Sequence, residues 1–154
     1  MSYTTILAEI KEELSAASGI GTVHDYERWC NNQADFETLY KSGSTINGWT
    51  ITRSNSLQDW DAAQHVWRNY TFVVRGYYSL DDSAATEKTF QALIDSVMNG
   101  FDTKVTWEGT ATLGGPSQLM IQEHRMFFGH LCHYCEIELR ISDYLLVTVN
   151  DTAN

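Results

Sequence analysis

The chain has 154 residues, 43% hydrophobic and 12% aromatic, with a single proline, a composition that fits one packed domain over 1–154 and excludes fibrous and disordered classes. Ten basic residues against twenty acidic ones give a formal charge of −10, and a surface of that sign repels phosphate backbones, which disfavours specific nucleic-acid binding. No run approaches the roughly 18 apolar residues of a membrane span, and the opening MSYTTILAEIKEEL meets acidic residues too early for a secretory signal, so synthesis and retention in the cytosol are expected.

Residues 4–17 place Ile6, Leu7, Ile10 and Leu14 on one helical face, with Glu9, Lys11, Glu12 and Glu13 turned to water, and Ser18-Gly19 supplies the stop. GTVHDYERW then favours a strand or extended arm through Val23, Tyr26 and Trp29, and ADFETLYKSG a short helix. Asn47-Gly48, between Ile46 and Trp49, predicts a two-residue hairpin turn. SLQDWDAAQHVW reads as a polar connection carrying Trp60. The clearest strand is VWRNYTFVVRGYYSL, with Tyr70, Phe72, Val74 and Tyr78 facing the core and Asn69, Thr71, Val73, Arg75 and Tyr77 facing away.

DDSAATEKTFQALIDSVMNGF is the strongest helix. Phe90, Leu93, Ile94, Val97 and Phe101 fall at helical spacing, Ser83 or Asp82 is the expected N-cap, and Asn99-Gly100 the expected stop. Strands are expected at 104–112, 118–128 and 131–149, with Gly114-Gly115-Pro116 as a break. The order of elements predicts an α+β domain: a mostly antiparallel sheet with two main helices packed on it.

HLCHYCE, residues 130–136, raises the question of a zinc-dependent module on His130, Cys132, His133 and Cys135. Strand alternation sends Cys132 and Cys135 to opposite faces, and no second C-x-x-C exists to complete a zinc knuckle. Free thiols are expected at Cys30, Cys132 and Cys135, because disulfide frameworks are rare in a reducing compartment. Asp81-Asp82-Ser83 reads as helix capping rather than a magnesium site. Gly43 to Gly48 has the glycine spacing of a phosphate loop but lacks the lysine, so it reads as a hairpin. No G-x-S-x-G or H-E-x-x-H occurs, and His24, His65, His124, His130 and His133 share no ligand spacing. Neither catalytic nor metal-binding residues are assigned, no cofactor is implied, and the chain is expected not to be an enzyme.

Large aromatics in polar stretches stand out, Trp29, Trp60, Trp67 and Tyr77 among them. Side chains of this kind are covered either by their own chain or by a partner, and partner surfaces are rich in Trp, Tyr and Arg. Arg28, Arg53, Trp60, Trp67, Arg75 and Tyr77 are therefore the candidate oligomer or partner interface, with Arg68 a further guanidinium able to meet acidic patches of an identical neighbour.

The runs FVVRGYYSLDDSAATEKTFQALIDSVMNGF and RMFFGHLCHYCEIEL, with the opening GIGTVHDYERW, resemble the tail-completion or tail-terminator proteins of long-tailed bacteriophages. The resemblance covers about residues 6 to 141 and carries no catalytic signature. It implies an α+β subunit that forms a homo-oligomeric ring, expected to be a hexamer. Such a ring is assembled in the host cytoplasm and sits in the virion tail, where it caps the tail tube protein and presents a surface to the head-tail connector protein. An acidic balance suits a lumen through which DNA slides without specific binding. The alternative within this class is a head-completion or neck adaptor.

Overall fold

Ser2 opens the first helix, its side chain accepting from the Thr5 N–H at 3.3 Å, and α1 runs over Tyr3–Ala16 with Ile6, Ile10 and Leu14 buried. The computed structural model describes residues 2–62, 64–104 and 107–147. After α1 come β1 (Thr22–His24), α2 (Gln33–Tyr40), β2 (Lys41–Ser42), β3 (Thr45–Ala62), β4 (His65–Ser79), α3 (Thr86–Thr103), β5 (Ala111–Leu113), β6 (Gln118–Phe127) and β7 (His130–Leu146). The described strands form one seven-stranded sheet in the order β1-β3-β4-β7-β5, with β2 also on β3 and β6 also on β7. The β1–β3 pair is parallel and the others are antiparallel. This is the α+β architecture that the pattern of elements predicts.

The two longest helices cover one face of the sheet, called the front here. Ile6, Ile10 and Leu14 of α1 and Phe90, Leu93, Ile94, Val97 and Phe101 of α3 share a core with Trp49, Ile51, Tyr70, Phe72, Val74, Cys135, Ile137, Leu139 and Ile141. Tyr78 packs against that core half-buried. Lys104 ties the end of α3 to Glu9 and Glu13 of α1, at 3.9 and 3.7 Å. A smaller cluster of Phe36, Tyr40, Ile46 and Cys132 lies on the back face, where α2 packs on the lower half of the sheet.

Several local expectations are corrected. The β2–β3 hairpin turns at Gly43-Ser44, with Ser42 opposite Thr45 and Gly43 left-handed at φ 66°, so Asn47-Gly48 lies inside β3. There the Asn47 amide donates to the Gly19 carbonyl at 2.8 Å and its oxygen accepts from the Trp49 indole at 3.0 Å. Gly48 is required by closeness, since an added Cβ would lie 2.8 Å from the Tyr40 Cα.

The segment read as a polar connection is strand instead. β3 runs on through Trp60, and β4 pairs with it as far as Ala62↔His65, with bulges at Arg53/Asn55 and Trp60/Ala62; residue 63 of that connection lies outside the described residues. Helix α3 begins after Ala85, which is left-handed and has no side-chain cap bond, rather than at Ser83 or Asp82. The Asp81 carboxylate instead orders the turn before the helix, accepting from the Ser83 hydroxyl at 2.7 Å and the Ala84 N–H at 3.3 Å; these bonds hold its pKa below the ordinary carboxylate value. The helix passes Asn99-Gly100 and continues to Thr103. Of the strand expected at 104–112 only its end is strand, as part of Ala111–Leu113, and residues 105 and 106 lie outside the described residues, as do 148 and 149 of the last expected strand. No described helix is long and apolar enough to cross a membrane.

Candidate functional site

The alternation expected along β7 is observed. Cys135 sits in the front core with Ile137 and Leu139, while Cys132 sits in the back cluster with Phe36 and Tyr40. One ion cannot bridge two sulfurs on opposite faces of a sheet, and among the described residues no three His, Cys, Asp or Glu side chains gather as metal ligands. All three cysteines are free, and burial pushes the Cys132 thiol up to about 11 and the Cys135 thiol up to about 12. Cys30 is half-exposed, with burial and the neighbouring Asp35 raising its pKa as well. A thiol reagent at pH 8 should therefore label one cysteine per native chain, Cys30, and all three in denaturant; rapid native labelling of Cys132 or Cys135 would show that these strands open.

The histidines are placed by separate partners. His24 donates to the Leu39 carbonyl at 2.6 Å, and His130 Nε2 contacts Glu37 at 2.9 Å, which lowers the Glu37 pKa. His133 stacks on Phe90 and meets the Thr86 hydroxyl at 2.9 Å, and burial lowers its pKa. The β6–β7 register sets His124 opposite His133. The alternation within one strand does not anticipate this meeting. The two line a cleft of about 500 Å³ beside the start of α3, where Asp82, Glu87 and Glu123 stand against the single cation Lys88.

The residues singled out as an interface divide into four groups. Trp67 and Tyr77 are half-buried by their own chain: Trp67 lies 4.7 Å from the Tyr144 ring, and Tyr77 packs among Phe36, Tyr40, Phe127 and Tyr134. Arg53 lies on the front, over Tyr3 at 4.4 Å and Tyr70 at 5.9 Å, near Arg68, which contacts the Tyr70 hydroxyl at 3.4 Å. Trp60 stays 69% exposed near the end of β3, and Trp29 stays 82% exposed in the arm between β1 and α2.

Arg28 and Arg75 converge on the back face with Arg125 of β6, which sequence reasoning missed. They line a pocket of about 280 Å³ walled by Tyr40, Tyr77 and Tyr134. Arg75 donates to the Thr52 hydroxyl at 2.7 Å and pairs with Glu136 at 3.4 Å, and the Tyr134 hydroxyl donates to Glu136 at 2.5 Å. Arg125 pairs with Glu123 and lies over the Tyr134 ring at 4.6 Å. Arg28 lies over the Tyr26 ring at 4.9 Å. Burial raises the pKa of Tyr40 and Tyr77, so both keep their protons as neutral O–H groups.

The sheet also leaves two long edges open. Along β3 the outer side is paired at 45–46 by β2 and at 48–50 by β1, so among the described residues 53–62 carry no outer strand. On the far side β6 pairs only with β7, and its outer edge over 118–127 is likewise bare among the described residues. Exposed apolar side chains cluster along both: Leu57 and Trp60 on β3, Leu119, Met120 and Met126 on β6. Neither edge contains lysine or proline, which are common devices against strand addition. Comparison with protein-family models and with curated proteins finds no match to this chain.

Proposed function

We propose that the chain is a virion structural protein of a long-tailed phage, a tail terminator that closes into a homo-oligomeric ring on the end of the tail tube and presents its other surface to the head connector. One observation supports this reading beyond the sequence resemblance: among the described residues the sheet has two bare edges on opposite sides. A bare edge offers a row of backbone donors and acceptors to another strand. A rotation axis roughly along the strands preserves strand direction, so directions within one copy fix directions across a seam. β3 runs with β7, and β6 runs against β7. The β3 edge of one copy therefore meets the β6 edge of the next in antiparallel orientation, the more stable pairing.

Such a contact is heterologous, and heterologous contacts close into rings when the rotation allows. The free part of β3 lies level with about 139–146 of β7, whereas β6 lies level with 130–138. A seam between them closes only with slanted strands, as in any β-barrel. The net charge of −10 keeps free copies apart, in line with subunits that associate on a template or at high concentration.

Electron microscopy of the purified protein tests the reading. Closed rings are expected at high concentration or on added tubes, with tube growth arrested. Leu57→Lys combined with Trp60→Lys, both exposed in the single copy, should abolish rings while shifting the melting temperature by less than about 3 °C, since exposed substitutions change stability by only about 0.5 kcal/mol. A protein that stays monomeric on tubes and at every concentration, or a double variant that forms rings as well as the parent, would refute it.

A further inference from the structure

We propose that the back-face pocket of Arg28, Arg75 and Arg125 is a binding site for a small oxyanion, a phosphate or a carboxylate. The chain has six arginines, and three of them, drawn from the β1–α2 arm, β4 and β6, line this one cavity. Guanidiniums drawn to one cavity repel one another unless negative charge offsets them, and among the described residues only Arg75 and Arg125 of the three pair with a carboxylate, Glu136 and Glu123.

Donors outnumber acceptors here. A guanidinium carries five N–H donors and no acceptor. Arg75 uses its Nε–H toward Glu136 and one Nη1–H toward Thr52, and Arg125 directs its Nε–H at Glu123. Arg28 has its face against Tyr26, and Glu27 beside it also lines the pocket. The Tyr40 and Tyr77 hydroxyls add two further donors to the same wall. Against these stand Glu27 and the already engaged Glu136 and Glu123. A group that only accepts, with oxygens spaced to meet the planar forks of arginine, balances the site; carboxylate and phosphate have that form. The volume of about 280 Å³ suits one such group with its water, and falls just short of the roughly 300 Å³ at which drug-sized ligand sites begin.

The oxyanion has two sources, a free phosphate or the carboxylates of a neighbouring chain. Asp59 and Asp61 on the exposed end of β3 are carboxylates that a second copy would bring. The test follows the arginine Nε–H resonances of the full-length chain while inorganic phosphate, or separately a synthetic peptide of residues 56–62, is added. Saturable shifts are expected at Arg28, Arg75 and Arg125, with Arg53 and Arg140 unmoved. The double variant Arg28→Ala/Arg125→Ala should weaken binding by about tenfold or more, the loss expected when charge-assisted hydrogen bonds are removed.

The probe that saturates identifies the source. The proposal fails if neither probe moves the three resonances, if all six arginines move together, or if the double variant binds as the parent does. Because the titration reads the pocket whether or not rings form, its failure leaves the ring reading standing.

Discussion

Truncating Trp49 to alanine should cost the fold about 3–5 kcal/mol, the range for removing a fully buried large aromatic, and should lower the melting temperature by roughly 10 °C. Trp49 is fully buried at the centre of the front core, against Phe90 and opposite Gly76 of β4. Its ring lies flat over that glycine: a Cβ at position 76 would stand 2.6 Å from two ring carbons. Gly76→Ala should therefore destabilise by about 1–3 kcal/mol through overpacking. Combining the two changes should cost less than their sum, by about 0.5–3 kcal/mol, because the shortened side chain vacates the space that the new methyl enters. Denaturant unfolding of the four proteins of this cycle measures the coupling. Strict additivity would mean that the ring and the glycine do not compete for space.

Replacing Asp143 with alanine should cost about 1–3 kcal/mol, the penalty for leaving a buried hydrogen-bonding group without its partner. Asp143 is fully buried on β7 and stands directly opposite Arg68 of β4. Its carboxylate accepts from the Thr110 hydroxyl at 2.5 Å, and the same hydroxyl contacts the Tyr144 carbonyl at 2.7 Å. This cluster pins the 107–110 turn, and with it β5, to the end of the sheet. The Arg68 Nε–H of the facing strand is already buried without a hydrogen-bond partner among the described residues, so this end of the sheet holds an unpaired polar atom before any substitution is made. Asp143→Asn keeps the shape and should cost less. A melting temperature for Asp143→Ala within about 2 °C of the parent would show that the cluster contributes little.

Helices α1 and α3 and strands β4 and β7 are legible in the sequence because their periodicities persist. Phe90 to Phe101 repeats at helical spacing over three turns, and Cys135 to Ile141 alternates over four residues facing one core. The far end of β3 carries no such pattern. SLQDWD lies at a sheet edge exposed on both faces, so neither side selects apolar residues and the segment reads as a connection. Asn47-Gly48 misleads for a different reason: its glycine answers to the close approach of Tyr40, and a turn signal cannot be told from a packing requirement without the neighbour.

The candidate site was half legible. Arg28, Arg75 and Tyr77 stand in the expected set because they are conspicuous among polar neighbours, and they do come together. Arg125 escaped notice because β6 is exposed along most of its length, and only the register Arg125↔Cys132 carries it to the back face. Trp67 shows the limit of the aromatic signal, since Tyr144, distant in sequence, supplies its cover.

The open sides of β3 and β6 point away from each other and their strands run in opposed senses. Copies joined through them would all stand the same way up, so the proposed ring would have a top that differs chemically from its bottom. On the proposed ring reading, only one of two such unlike surfaces would match a given tube end, so seating would be a one-way event and the other surface would be left for a different protein.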